Sequence, residues 1–77
     1  SGRSLLPVGV IAVHGNFVRG DVVTVMDETG REIARGLVNY DSGEVAQLLR
    51  CSSDRIVELL GYDGEQEIIH RDNMVMA

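Results

Sequence analysis

The residues able to do chemistry are few and scattered. His14, Cys51 and His70 are the soft metal-ligand types in the chain. No two of them stand at the short spacing that a tetrahedral zinc site uses, so they read as surface or half-buried histidines and an inert thiol. A nucleophilic Cys51 would need a neighbouring base and a depressed pKa; its place between two predicted helices suits a small packing residue. Carboxylates pair at Asp27/Glu28 and at Glu65/Glu67. Both pairs occupy polar, turn-like stretches, without the dry setting that tunes a carboxyl for acid–base work. A phosphate loop needs Gly-x-x-x-x-Gly-Lys, and the chain has no lysine. In Arg19-Gly20-Asp21 the aspartate is expected to accept from turn amides. The sequence therefore assigns no catalytic, cofactor-binding or metal-binding residue.

What remains is binding chemistry. All seven basic residues are arginines, at 3, 19, 31, 35, 50, 55 and 71. The run Arg35-Gly36-Leu37-Val38-Asn39-Tyr40 joins an arginine, an amide and a tyrosine to a glycine at a strand end, where backbones approach closely or bulge. An arginine there would fork onto phosphate and Tyr40 would stack on an unpaired base. The structural alternative has Tyr40 anchoring the helices and Arg35 pairing with an acid across the sheet. Formal net charge is −5, which opposes approach to nucleic acid. Asp41, Glu44 and Asp72 also interleave with the candidate residues, so the structural reading is preferred.

The elements that must position these residues form one small domain. Seventy-seven residues with 44% hydrophobic content, one Phe, two Tyr and no Trp must build an aliphatic core. Such a chain buries roughly 60–65% of its unfolded surface and has no room for an ordinary enzyme cleft. It reads as a module or a fragment. One cysteine allows no internal disulfide. No apolar run reaches the roughly 20 residues of a membrane span, and no signal-peptide pattern opens the chain. A cytoplasmic protein is expected.

Residues 8–13 are short, apolar and β-branched, which predicts a strand buried on both faces. His14-Gly15-Asn16 and Arg19-Gly20-Asp21 predict turns, and residues 22–26 a strand. Asp27-Glu28-Thr29-Gly30 predicts a hairpin loop with Gly30 at positive φ. Residues 31–38 form the returning strand, with Ile33 on one face and Glu32 and Arg35 in water. Asp41 with Glu44 three residues on is a capping box, and Val45, Leu48 and Leu49 form one apolar helical face. Ser52 or Ser53 caps a second helix, carrying Ile56, Leu59 and Leu60 inward and ending at Gly61. Residues 67–69 and 74–76 supply closing β segments. Residues 1–3 read as a linker or an appended remnant, and 4–77 as the domain.

Three blocks in this order carry a family resemblance: Ser4-Leu5-Leu6-Pro7-Val8-Gly9-Val10, then Phe17-Val18-Arg19-Gly20-Asp21-Val22-Val23 leading to Ala34-Arg35-Gly36-Leu37-Val38-Asn39-Tyr40, then Ile69-His70-Arg71-Asp72-Asn73. Together they resemble a PUA domain, specifically the C-terminal PUA domain of the glutamate 5-kinases. The resemblance implies a mainly β fold with two short α-helices, closed as a pseudo-barrel. It also implies an upstream amino-acid-kinase domain in the same polypeptide. That domain would use ATP and Mg²⁺ to phosphorylate L-glutamate in the first step of proline biosynthesis, in a parent able to form homo-oligomers. This chain would then act in regulation or assembly. The alternative is an RNA-binding PUA module of an RNA-modification enzyme. In PUA domains the glycine-containing loop before the first helix faces RNA, which would place Arg35, Gly36, Asn39 and Tyr40 there, with Arg71 beside them on the closing strand. A third reading has the apolar end, Met74, Val75 and Met76, contacting another protein or a second copy.

Overall fold

The structure is a computed structural model that describes residues 3–77. Of the segment expected to be a linker, Ser1 and Gly2 lie outside the described residues. Strands β1 (Val22–Met26) and β2 (Glu32–Leu37) form the expected hairpin. Its loop is organised by Asp27, whose carboxylate accepts from the Thr29 N–H at 2.9 Å, the Thr29 hydroxyl at 2.6 Å and the Arg31 N–H at 3.1 Å. Gly30 completes the turn at φ 86°, a conformation that costs glycine nothing. Strand β3 (Met74–Met76) pairs antiparallel with β2, giving the sheet order β1-β2-β3.

Ile33 is an extra residue in β2. Ala34 pairs with Val25 while Glu32 pairs with Met26, which leaves Ile33 unmatched in a β-bulge. The expected separation of Ile33 from a wet Arg35 is corrected. Both are exposed on the outer face, and the inner face of β2 is carried by Ala34 and Gly36. At Gly36 there is no room for a side chain, because Ile69 and the turn before β3 press directly on the strand.

Helix α1 (Ser42–Leu48) starts with the predicted capping box. The Glu44 N–H donates to Asp41 Oδ1 at 2.8 Å, and the Asp41 N–H donates to Glu44 Oε1 at 3.0 Å. Helix α2 (Ile56–Leu60) follows a 3-10 turn at Ser53–Arg55 capped by Ser52, and it ends at Gly61, φ 82°. The two helices lay Val45, Leu48 and Ile56 against Val38, Tyr40, Ile68 and Ile69, and these seven residues form the core. The radius of gyration, 11.5 Å, is about the 11–12 Å expected for one compact unit of this length.

The expected strand at residues 8–13 does not form. Pro7–Gly9 is a 3-10 turn, the residues after it are irregular, and Val8 and Ile11 are exposed. The local hydrogen bonds explain the outcome. The Gly9 and Val10 N–H groups are spent on the Leu6 and Pro7 carbonyls, while the Pro7 and Val10 carbonyls both accept from the Arg50 N–H at 3.1 and 2.9 Å. A loop rather than a ladder thus satisfies this backbone. The β segment at residues 67–69 likewise shrinks to one antiparallel bridge, Leu5 to Ile69. The observed order is therefore β-β-α-α-β. A three-stranded sheet with two short α-helices is nonetheless the expected class.

Candidate functional site

Strand β2 leads straight into the candidate run, and its glycine decides the local geometry. A Cβ on Gly36 would stand 2.6 Å from both the Asn73 carbonyl oxygen and Ile69 Cγ2. The absence of a side chain lets the Asn73 end of the 3-10 turn Arg71–Asn73 seat on the strand, which places the turn that holds Arg71 beside Gly36. Arg71 lies in that turn rather than on the closing strand where it was expected. Its N–H donates to Ser4 Oγ at 2.9 Å.

Asn39 and Tyr40 are spent on structure. The Asn39 N–H donates to the Ile68 carbonyl at 2.8 Å and its Nδ2 to the Glu67 carbonyl at 3.0 Å. The Tyr40 ring is 1% exposed and its hydroxyl donates to the Glu65 carbonyl. Burial raises the Tyr40 pKa, with Glu65 and Glu44 adding repulsion. Both residues therefore clamp the segment 65–68 onto the end of β2. A ring this buried offers no face to an incoming base.

Arg35 does reach solvent, but not as an unpaired cation. Its Nε lies 2.7 Å and its Nη2 3.2 Å from the two Glu32 oxygens. The partner sits on the same strand rather than across the sheet. The bulge at Ile33 re-aims Glu32 and lets the pair meet, a usual role of such bulges. The hydrogen bonds hold the Glu32 carboxyl below its ordinary range and raise the Arg35 guanidinium.

A shallow open depression of about 520 Å³ lies between the loop before β1 and the start of α1, lined by Asn16, Phe17, Val18, Asp21, Asp41, Ser42 and Gly43. Its carboxylates are already committed: Asp21 accepts from the Val18 N–H at 3.0 Å and Asp41 from the Glu44 N–H. Ser42 and Phe17 latch the two segments, with the Ser42 N–H donating to the Phe17 carbonyl at 3.0 Å. Two carboxylates there repel an anion, so the depression reads as a structural junction. Among the described residues no group of three or more His, Cys, Asp or Glu could hold a metal ion. Nor is any helix among them long and apolar enough to cross a membrane.

Sequence reasoning singled out Val75 at the apolar end but missed that Val22 and Leu37 are exposed with it on the outer face of the sheet. The available signal was the nearly continuous apolar character of β1, broken only by Thr24, which puts valine where a solvated face would alternate to polar residues.

The PUA domain family model matches residues 1–60. The glutamate 5-kinase of Nitrosospira multiformis is 63% identical over 97% of this chain and 20% of its own length. Those of Methylococcus capsulatus and Nitrosococcus oceani are 56% and 55% identical, over 100% and 99% of this chain and 21% and 20% of theirs. The chain thus spans about a fifth of the length of the curated relatives it matches.

Proposed function

The chain belongs to the PUA domain family, and from that premise we propose that it is the non-catalytic C-terminal domain of a glutamate 5-kinase. The observation that carries this reading is the likeness to proteins of that name along nearly all of this chain, against a fifth of theirs. The parent would transfer the γ-phosphate of ATP to the side-chain carboxylate of L-glutamate, in the cytoplasm, opening proline biosynthesis. ATP and Mg²⁺ would belong to the upstream amino-acid-kinase domain. The donor set here does not fit them: the chain has no lysine, and the described residues offer no carboxylate cluster.

This domain would contribute contacts, in regulation or in assembly of a homo-oligomer. Within the candidate run, Arg35 and Arg71 are the residues proposed to meet a partner. Gly36, Asn39 and Tyr40 are the frame that holds them, by the close approach and hydrogen bonds described above. The geometry supports RNA contact less well, because Glu32 already occupies the Arg35 fork and net charge is −5.

The test is the native reading frame and its product. An upstream amino-acid-kinase domain, with ATP- and glutamate-dependent phosphoryl transfer by the full polypeptide and none by this chain, is the expected outcome. An upstream pseudouridine synthase or transglycosylase domain would overturn it.

A further inference from the structure

We propose that the outer face of the three-stranded sheet is where the upstream domain of the parent polypeptide packs, an inference that rests on reading the chain as an appended domain. On this face Val22 stands opposite Leu37, and Arg35 stands between Thr24 and Val75. Val75 is 74% exposed and Val22 68%, so branched aliphatics stand open to water on two of the three strands. An antiparallel sheet that faced only water would carry polar side chains there, and contiguous exposed apolar surface marks an interaction site. Arg35 is the charge at the centre of the face, and Glu32 neutralises it with two hydrogen bonds. A locally neutral, aliphatic face on a chain of net charge −5 suits the apolar surface of a protein and not a phosphate backbone.

The occupant follows from where the chain enters the fold. Leu5 is bridged to Ile69, and Ser4 Oγ accepts from the Arg71 N–H. The turn Arg71–Asn73 then runs directly into β3. Polypeptide preceding Ser4 therefore leaves beside the segment that feeds β3, the edge strand that carries Val75. The relatives place about four-fifths of their length outside the matched part, which is ample to cover three short strands.

Carbene footprinting read by mass spectrometry, on the full-length parent polypeptide and on this chain alone, tests the assignment. Labelling of Val22, Leu37 and Val75 is expected to fall several-fold in the full polypeptide, with Val8 and Val57 labelled alike in both. Equal labelling of the sheet face in the two forms overturns the proposal. Protection already present in the isolated chain and lost on dilution also overturns it, since a second copy would then be the occupant. The variant Val75→Glu should restore labelling of Val22 and Leu37 in the full polypeptide while the isolated variant keeps its thermal midpoint. Retained protection in that variant counts against the face. A protected face on a parent that does not phosphorylate glutamate would end the kinase reading alone, and an active kinase with an unprotected face would end only this one.

Discussion

Gly36 and Asn73 approach so closely that a Cβ on the glycine would stand 2.6 Å from the Asn73 carbonyl oxygen. The obstructing atom is backbone, so it cannot swing aside as the end of a side chain would. Gly36→Ala must push the Arg71–Asn73 turn off β2 and strain its pairing with β3, at a cost of about 1–3 kcal/mol or more. Gly9 meets nothing within 4 Å, so Gly9→Ala should stay within about 0.5 kcal/mol of the parent. Urea melts of the two variants make the comparison, and equal midpoints would refute the packing argument.

Leu48, 1% exposed, joins α1 to the rest of the core. Leu48→Ala should cost about 2–5 kcal/mol, a large part of the roughly 4–12 kcal/mol that a chain this size can muster. Arg35→Ala, which breaks an exposed ion pair, should barely move the thermal midpoint. A calorimetric ranking in the opposite order would show that the sheet face, not the helix contact, holds the domain.

The capping box can be tested apart from the core. Asp41→Ala removes the acceptor of the Glu44 N–H and should cost about 1 kcal/mol. Glu44→Gln keeps an acceptor for the Asp41 N–H and should cost less, since glutamine also completes a capping box. Chemical denaturation curves of both variants decide this.

The second oxygen of Glu44 makes α1 sensitive to alkaline pH. The Tyr62 hydroxyl donates to Glu44 Oε2 at 2.5 Å, and this bond pushes its pKa up to about 12. A raised folded-state pKa stabilises the protonated form. The contribution is therefore full below the unfolded tyrosine value of about 10 and is lost as pH climbs from there through about 12. Stability should fall across that window, and in Tyr62→Phe the fall should be shallower, leaving the part due to Tyr40, whose pKa burial also raises. Absorbance titration of the phenolates, with thermal midpoints at each pH, reads both. A Tyr62 that ionises near its ordinary value would remove the bond from the argument.

At the acid end the sign reverses. Hydrogen bonds from Thr29 and Arg31 lower the Asp27 pKa, and those from Arg35 lower that of Glu32. Depressed carboxyl pKa values contribute stability that is present above the unfolded values and fades as pH falls through the folded ones. Hairpin amide protection should therefore weaken below about pH 4, and weaken less in Asp27→Asn, measured by hydrogen exchange. Unchanged protection in the native chain down to pH 2 would show that the Asp27 bonds do not hold the loop.

Local chemistry was legible without a structure wherever the deciding partner is close in the chain. The Asp27–Gly30 loop, the Asp41/Glu44 capping box and the Gly61 helix end all appeared where propensity placed them. Residues 8–13 misled because β-branched composition reports a preference for pleated surfaces and says nothing of which carbonyls lie opposite. Here that was decided by the Arg50 N–H, about forty residues away, which took the Pro7 and Val10 carbonyls. The candidate run shows the same division. Its residue types marked a place where backbone comes close, but whether each side chain faces water depended on contacts with residues 65–73 and on the bulge at Ile33. A one-residue bulge changes side-chain direction without altering composition. The sequence by itself therefore determined the family, the turns, the caps and the aliphatic core. Only the tertiary structure decided that Asn39 and Tyr40 are framework and that Val22, Leu37 and Val75 stand outward together, because side-chain direction follows strand register and packing at long range.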